Sequence, residues 1–196
     1  MDWDEFVKNY WSYYLNFEQD VLNTSRYVTF SEDNYSTYSV EYGKLLNSIC
    51  AEIDNVFKYL CRDFDLAKRP SIKSYAEILI PKYPKLKEYK AKATLIKEPF
   101  QPFRDWDAQK ASQTLVWWDE HAAFKHNRSV NEKKGNLRNV LLSLSALFLL
   151  ETICLKELED ILVEPGEPRE ESKLFSTRDI NLKWVFYGRL LLSTEQ

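Results

Sequence analysis

The sequence is poor in the residues that several enzyme classes need at their active sites. Only four glycines occur in 196 residues, too few for the phosphate-binding loop of P-loop proteins or the glycine-rich turn of dinucleotide-binding folds. There is also no G-x-S-x-G turn, the usual setting of a hydrolase serine nucleophile. Because proline is limited to seven copies as well, the small number of turn formers favours helices over a turn-rich β-sandwich.

Cysteine is scarce, and its three copies lie in apolar helical patterns without C-x-x-C spacing, at Cys50, Cys61 and Cys154. This placement predicts buried, reduced thiols rather than disulfides or metal ligands, and therefore a cytoplasmic location. The first residues are acidic and lack a basic stretch followed by an apolar run, so no signal peptide is expected. The longest apolar stretch, Val140 to Leu155, contains polar residues, among them Glu151. We therefore expect a buried core helix and no membrane partner.

Helical periodicity is what the sequence has in abundance. Apolar side chains recur every three to four residues over 1–23, where most are aromatic, over Leu45 to Phe64, and over Leu137 to Leu158. These patterns predict an all-α fold, mostly a helical bundle, with minor short strand content. We expect a single domain over 1–196, with a core at 36–160, an N-terminal aromatic helix at 1–23 and a C-terminal extension at 164–196. The extension should start with an exposed turn at Glu164–Pro168.

The proline-rich stretch from Arg69 to Phe103 predicts a short helix at about residues 71–80 in otherwise irregular chain. It contains six lysines between Lys82 and Lys97, interleaved with Tyr83 and Tyr89. This composition favours a solvated connector over a nucleic-acid surface, although both tyrosines could stack on bases.

Both histidines of the protein, His121 and His126, fall in one segment that is predicted to be helical from Gln113 to about Arg128. Histidine can exchange a proton near neutral pH, and neighbouring cations can hold a phosphate, so these residue types suit phosphodiester chemistry. The alternative is that Trp117, Trp118 and Phe124 anchor this helix in the core, with its charged residues in water. A metal site fits poorly, because residues five apart on a helix point about 140° away from each other.

The arrangement resembles the HEPN superfamily, the compact helical domains of many prokaryotic toxin and antiviral ribonucleases. Their hallmark is R-x(4–6)-H, often with Asn directly after the Arg, followed by a long apolar helix. Here His126 takes the place of the hallmark histidine, while His121 and Ala122 stand where the Arg and Asn would be. The chain is also similar to a group of uncharacterised bacterial proteins that read S-x-E-Y-x-K-L-L and W-W-x-x-Y-N-x-x-K-H-x-R, at Ser39–Leu46 and Trp117–Arg128.

The resemblance implies a metal-independent ribonuclease of a toxin or antiviral defence type that binds RNA as a homodimer and needs no cofactor. In that role His126 is the general acid or base, His121 completes an acid/base pair, and Arg128 stabilises the phosphorane. Lys125 and Asn127 would bind the substrate. The excess of aromatic residues also favours an interface between two copies. Because a histidine replaces the permanently charged arginine, the alternative is a catalytically inactive scaffold that binds nucleotide, RNA or a protein partner.

Overall fold

A computed structural model of the protein describes residues 1–66, 70–161 and 170–182. Within these ranges the fold is mostly helical with one small antiparallel sheet, which confirms the predicted fold class. The helices are α1 (Trp3–Phe6), α2 (Ser12–Thr24), α3 (Val40–Leu60), α4 (Ile72–Lys82), α5 (Ala111–Thr114), α6 (Val116–His126), α7 (Arg128–Asn131) and α8 (Leu137–Ile161). A π-helical segment, Val7–Trp11, joins α1 to α2, and the strands are β1 (Lys92–Ala93) and β2 (Phe175–Ser176).

The centre of the core is the pair α3 and α8, which run parallel to each other. At their starts, the Ser39 N–H donates to the carbonyl of Gly135 at 3.2 Å. At their far ends, Arg62 pairs with Glu157 of α8 at 3.2 Å. The apolar stripes predicted from the sequence face each other along this pair, so both long helices are confirmed.

Several polar residues within α8 are buried rather than turned to solvent. The Ser143 and Thr152 hydroxyls donate to the carbonyls of Val140 and Phe148, so the helix satisfies them itself. In the described part of the chain, α8 is the one helix long and apolar enough to cross a membrane, and 89% of its most apolar window is buried inside the fold. A core helix of a globular protein has the same placement.

The N-terminal aromatic helix packs across α8. Trp11 and Tyr14 place their rings 6.5 and 5.7 Å from the ring of Phe148. The prediction of one helix over 1–23 therefore holds, with the addition that the π-helical turn widens it at Val7–Trp11.

Glu18 of α2 fixes the C-terminal extension to the body of the protein. Its buried carboxylate accepts hydrogen bonds from the Tyr14 hydroxyl at 2.6 Å, the Ser172 hydroxyl at 2.5 Å, and the N–H groups of Lys173 and Leu174 at 2.8 and 3.0 Å. β2 then pairs with β1. The turn predicted at Glu164–Pro168 lies outside the described residues.

Gly43 is needed where α6 crosses α3. A Cβ atom built at this position would clash with the ring of Phe124, and one built at Gly135 would clash with the backbone of Gly43. Gly43→Val should lower the free energy of unfolding by about 1–3 kcal/mol through overpacking. Helix propensity alone predicts the opposite sign, since glycine is the poorer helix former. Urea denaturation would measure the effect against Ala51→Val on the exposed face of α3, and equal stability of both variants would contradict the close contact.

Candidate nucleic-acid interface

The segment with both histidines lies on α6, which runs antiparallel to α3. At one end of the contact between these helices, Phe124 lies over Gly43. At the other end, the rings of Trp118 and Phe57 have centroids 5.9 Å apart. The predicted continuous helix from Gln113 to Arg128 is wrong, because the backbone breaks at Leu115 (φ −98°, ψ 72°) and at Asn127 (φ −146°, ψ 73°). Three separate helices, α5, α6 and α7, replace it.

The large side chains at the start of α6 belong to the core. Trp117 is 2% exposed, and its indole N–H donates to the carbonyl of Pro102 at 3.0 Å. Trp118 is half-buried against Phe57. The two tryptophans are thus used inside the protein, so they lend no support to an interface between copies, and the homodimer stays a prediction.

His121 is turned inward. It is 7% exposed, it packs edge-on against Trp118 with ring centroids 5.6 Å apart, and its Nδ1 atom has no hydrogen-bond partner in the described residues. Burial, followed by the electrostatic effects of Lys125 and His126, lowers the pKa of His121 to about 4. The imidazole is therefore uncharged at neutral pH and does not hold the extra proton that a general acid would donate.

The other four predicted site residues are exposed and lie together at the end of α6. Lys125 and His126 form the last turn of α6, Asn127 is the break, and Arg128 begins α7. The break is held in place by Asn131, whose side-chain amide donates to the carbonyls of Ala123 and Asn127 at 3.1 and 3.0 Å. The structure thus places His126 beside Lys125, Asn127 and Arg128, and directs His121 to the opposite side of the helix.

A cluster of cations continues from this point to the start of α8, and we call it the basic end. It contains one acidic residue, Glu132. None of its cations forms an ion pair with a carboxylate in the described part of the chain. The five cations are Lys125, Arg128, Lys133, Lys134 and Arg138, all exposed except the half-buried Lys134.

Asn139, which the sequence analysis did not single out, ties the basic end to α6. It is 2% exposed on α8, and its side-chain amide donates to the Glu120 carboxylate and, at 2.9 Å, to the carbonyl of Lys134. The sequence did contain a sign of this role, since Asn139 is a side-chain amide within the apolar stripe of α8. A polar group buried there needs hydrogen-bond partners. Asn131 gave no such signal, because exposed polar residues are usual in a charged loop.

The lysine-rich segment from Lys82 to Lys97 is used partly for structure. The Lys82 ammonium lies 2.9 Å from the Glu157 carboxylate, and the Tyr83 hydroxyl donates to the same carboxylate at 2.5 Å. These contacts lower the pKa of Glu157 despite its partial burial, which acts in the other direction. Tyr83 therefore supports α8 and is not free to stack on a base.

Within the described residues, no group of three or more His, Cys, Asp and Glu side chains could hold a metal ion. A comparison of the chain with protein-family models gave no match, and comparisons with curated proteins and with solved structures gave none either. The function must therefore be argued from the basic end and the histidine beside it.

Proposed function

We propose that this protein is a HEPN-like RNA-binding domain and that the basic end is its RNA surface. The observation that carries the proposal is the concentration of five cations around an exposed histidine, none of them ion-paired with any residue that the structure describes, in a chain whose net charge is −3. Since most of the molecule repels a polyanion, binding would be directed to this end. Lys125, Lys133 and Arg138 would contact phosphates, and Asn127 would donate to them or to a base.

We further propose that His126 supports metal-independent cleavage of the bound RNA. The 2′-hydroxyl oxygen attacks the adjacent phosphorus and the 5′-oxygen leaves, which gives a cyclic phosphate and a 5′-hydroxyl. His126 accepts the 2′-hydroxyl proton or donates a proton to the leaving oxygen, and Arg128 stabilises the charge of the phosphorane. A second copy of the chain would supply the other half of the acid/base pair.

A binding scaffold without cleavage is the second candidate, and the position of His121 favours it. The residue that takes the place of the hallmark arginine is buried and uncharged, so it neither binds phosphate nor assists His126 from its present position. Under this proposal the basic end holds RNA and no bond is broken.

Replacing Arg128 with alanine should separate RNA binding from a purely structural role. Loss of one phosphate contact should weaken binding of a single-stranded oligonucleotide, and should reduce the slope of log affinity against log salt by about 0.7. Fluorescence anisotropy at several salt concentrations measures both quantities. Arg26→Ala is the matched control, because Arg26 is an exposed arginine outside the basic end. Equal salt slopes for wild type and Arg128→Ala would show that Arg128 makes no phosphate contact. If the wild type does not bind RNA at all, the proposal is refuted.

A further inference from the structure

A buried acidic residue in α8, Glu151, lies outside the proposed RNA surface. Its side chain is fully buried, and neither of its carboxyl oxygens has a hydrogen-bond partner among the described residues. An ionised carboxylate is strongly disfavoured in such a position, whereas a protonated carboxyl group can be accommodated more easily.

The groups around Glu151 offer no compensation for a negative charge. The charged residue that acts on it is Glu52 of α3, another carboxyl group, which is itself 8% exposed. Two residues of the N-terminal helices, Tyr10 and Tyr14, interact electrostatically with the Glu151 carboxyl. The Tyr14 hydroxyl already donates its hydrogen bond to Glu18. Cys154, one turn further along α8, is buried as well. Among the described residues, Arg62 and Lys82 act on Cys154, but no cation acts on Glu151.

Burial, and secondarily the charge of Glu52, raises the pKa of Glu151 well above its ordinary value of 4.5. Burial also raises the pKa of Glu52, while the hydrogen bond from Asn55 lowers it. Both carboxyl groups therefore keep their protons to a higher pH in the folded protein than in the unfolded chain.

We propose that Glu151 is a proton-dependent joint that holds the N-terminal helices against α3 and α8. While its carboxyl group is protonated, the N-terminal helices stay in place, with Tyr10 and Tyr14 near Glu151 and with Trp11 and Tyr14 packed on Phe148. When the proton is lost, the carboxylate must reach water, and the layer expected to open is the N-terminal helices, which bring Tyr10 and Tyr14 within electrostatic range of Glu151. These helices then separate from the core before α3 and α8 come apart.

The pH dependence has a definite direction. Because the folded protein holds this proton more tightly than the unfolded chain, the contribution of Glu151 to stability is fully present below pH 4.5 and is lost as the pH rises through its raised pKa. Within that window a single group changes the folding equilibrium constant by up to about tenfold per pH unit. The glutamine variant keeps the shape of the side chain and has no proton to lose.

The experiment compares wild type, Glu151→Gln and the exposed control Glu88→Gln by urea denaturation from pH 5 to pH 9. The ratio of the folding constants of Glu151→Gln and wild type should grow by up to about tenfold per pH unit over part of this range, whereas Glu88→Gln should follow wild type. Hydrogen exchange should show faster opening of residues 3–24 in the wild type at high pH, relative to Glu151→Gln.

A constant ratio between Glu151→Gln and wild type would overturn the proposal, as would opening of α3 and α8 together with the N-terminal helices. If Glu151→Gln does not fold, Glu151→Leu gives the answer, because it is apolar and has no proton to lose. The ratio of its folding constant to that of wild type should grow with pH in the same way, and a constant ratio would refute the joint.

Discussion

His126→Ala should abolish the proposed RNA cleavage without unfolding the protein. A general acid or base contributes about 10²–10⁴-fold to the rate, so the loss would be plain in a gel assay of a labelled single-stranded RNA. The side chain is exposed at the end of α6 and makes no hydrogen bond within the described residues, so its removal should change stability by no more than about 0.5 kcal/mol. The assay should be run with a chelator, because the proposed chemistry needs no metal.

Comparing the wild type with His126→Ala separates the proposals, because three outcomes are distinguishable. Lost cleavage with retained RNA binding assigns the chemistry to His126. Binding by wild type without any cleavage supports the scaffold. If the alanine variant cleaves at the wild-type rate, the activity belongs elsewhere or to a contaminant. Arg26→Ala should cleave as wild type does, since it leaves the basic end intact.

Ile53→Asp or Leu144→Asp should prevent folding altogether. Both side chains are fully buried, on α3 and α8, where the two central helices meet. An unpaired carboxylate there costs several kcal/mol, which is comparable with a total stability of about 5–15 kcal/mol. Circular dichroism and the soluble fraction on expression measure the outcome.

Val40→Asp is the matched control for these core substitutions. Val40 is the first residue of α3 and is 82% exposed, so the same change should be neutral or slightly stabilising, because a negative charge suits the start of a helix. A soluble Ile53→Asp protein with an unchanged melting temperature would mean that α3 does not pack in the core as described.

The long helices could be predicted because their apolar residues repeat at the helical period over several turns. The breaks at Leu115 and Asn127 could not, since neither position has a proline or a glycine to announce it. Asn127 is instead shaped by the Asn131 amide, which competes with the helix for two carbonyl groups. Local hydrogen bonds of this kind, from a side chain to the backbone, override a continuous helical pattern.

The placement of the two histidines on their helix could be predicted in part. Periodicity places His121 and His126 on different sides of a helix, and the structure agrees, with one buried and the other exposed. Which side faces the core depends on the fit of Phe124 against Gly43, and that contact joins residues about 80 positions apart. The sequence pattern of one segment contains no information about such a partner. The same reason hides Glu18, whose hydrogen-bond donors at 172–174 lie far along the chain.

The hydrogen bonds of Glu18 also set an order of folding during synthesis on the ribosome. Its carboxylate is made early, but the backbone amides that satisfy it, at Lys173 and Leu174, are synthesised more than 150 residues later. A nascent chain that stops before residue 172 has the Tyr14 hydroxyl to donate to Glu18 but lacks the donors of residues 172–174. The last native hydrogen bonds of α2 therefore form only after these residues have been synthesised.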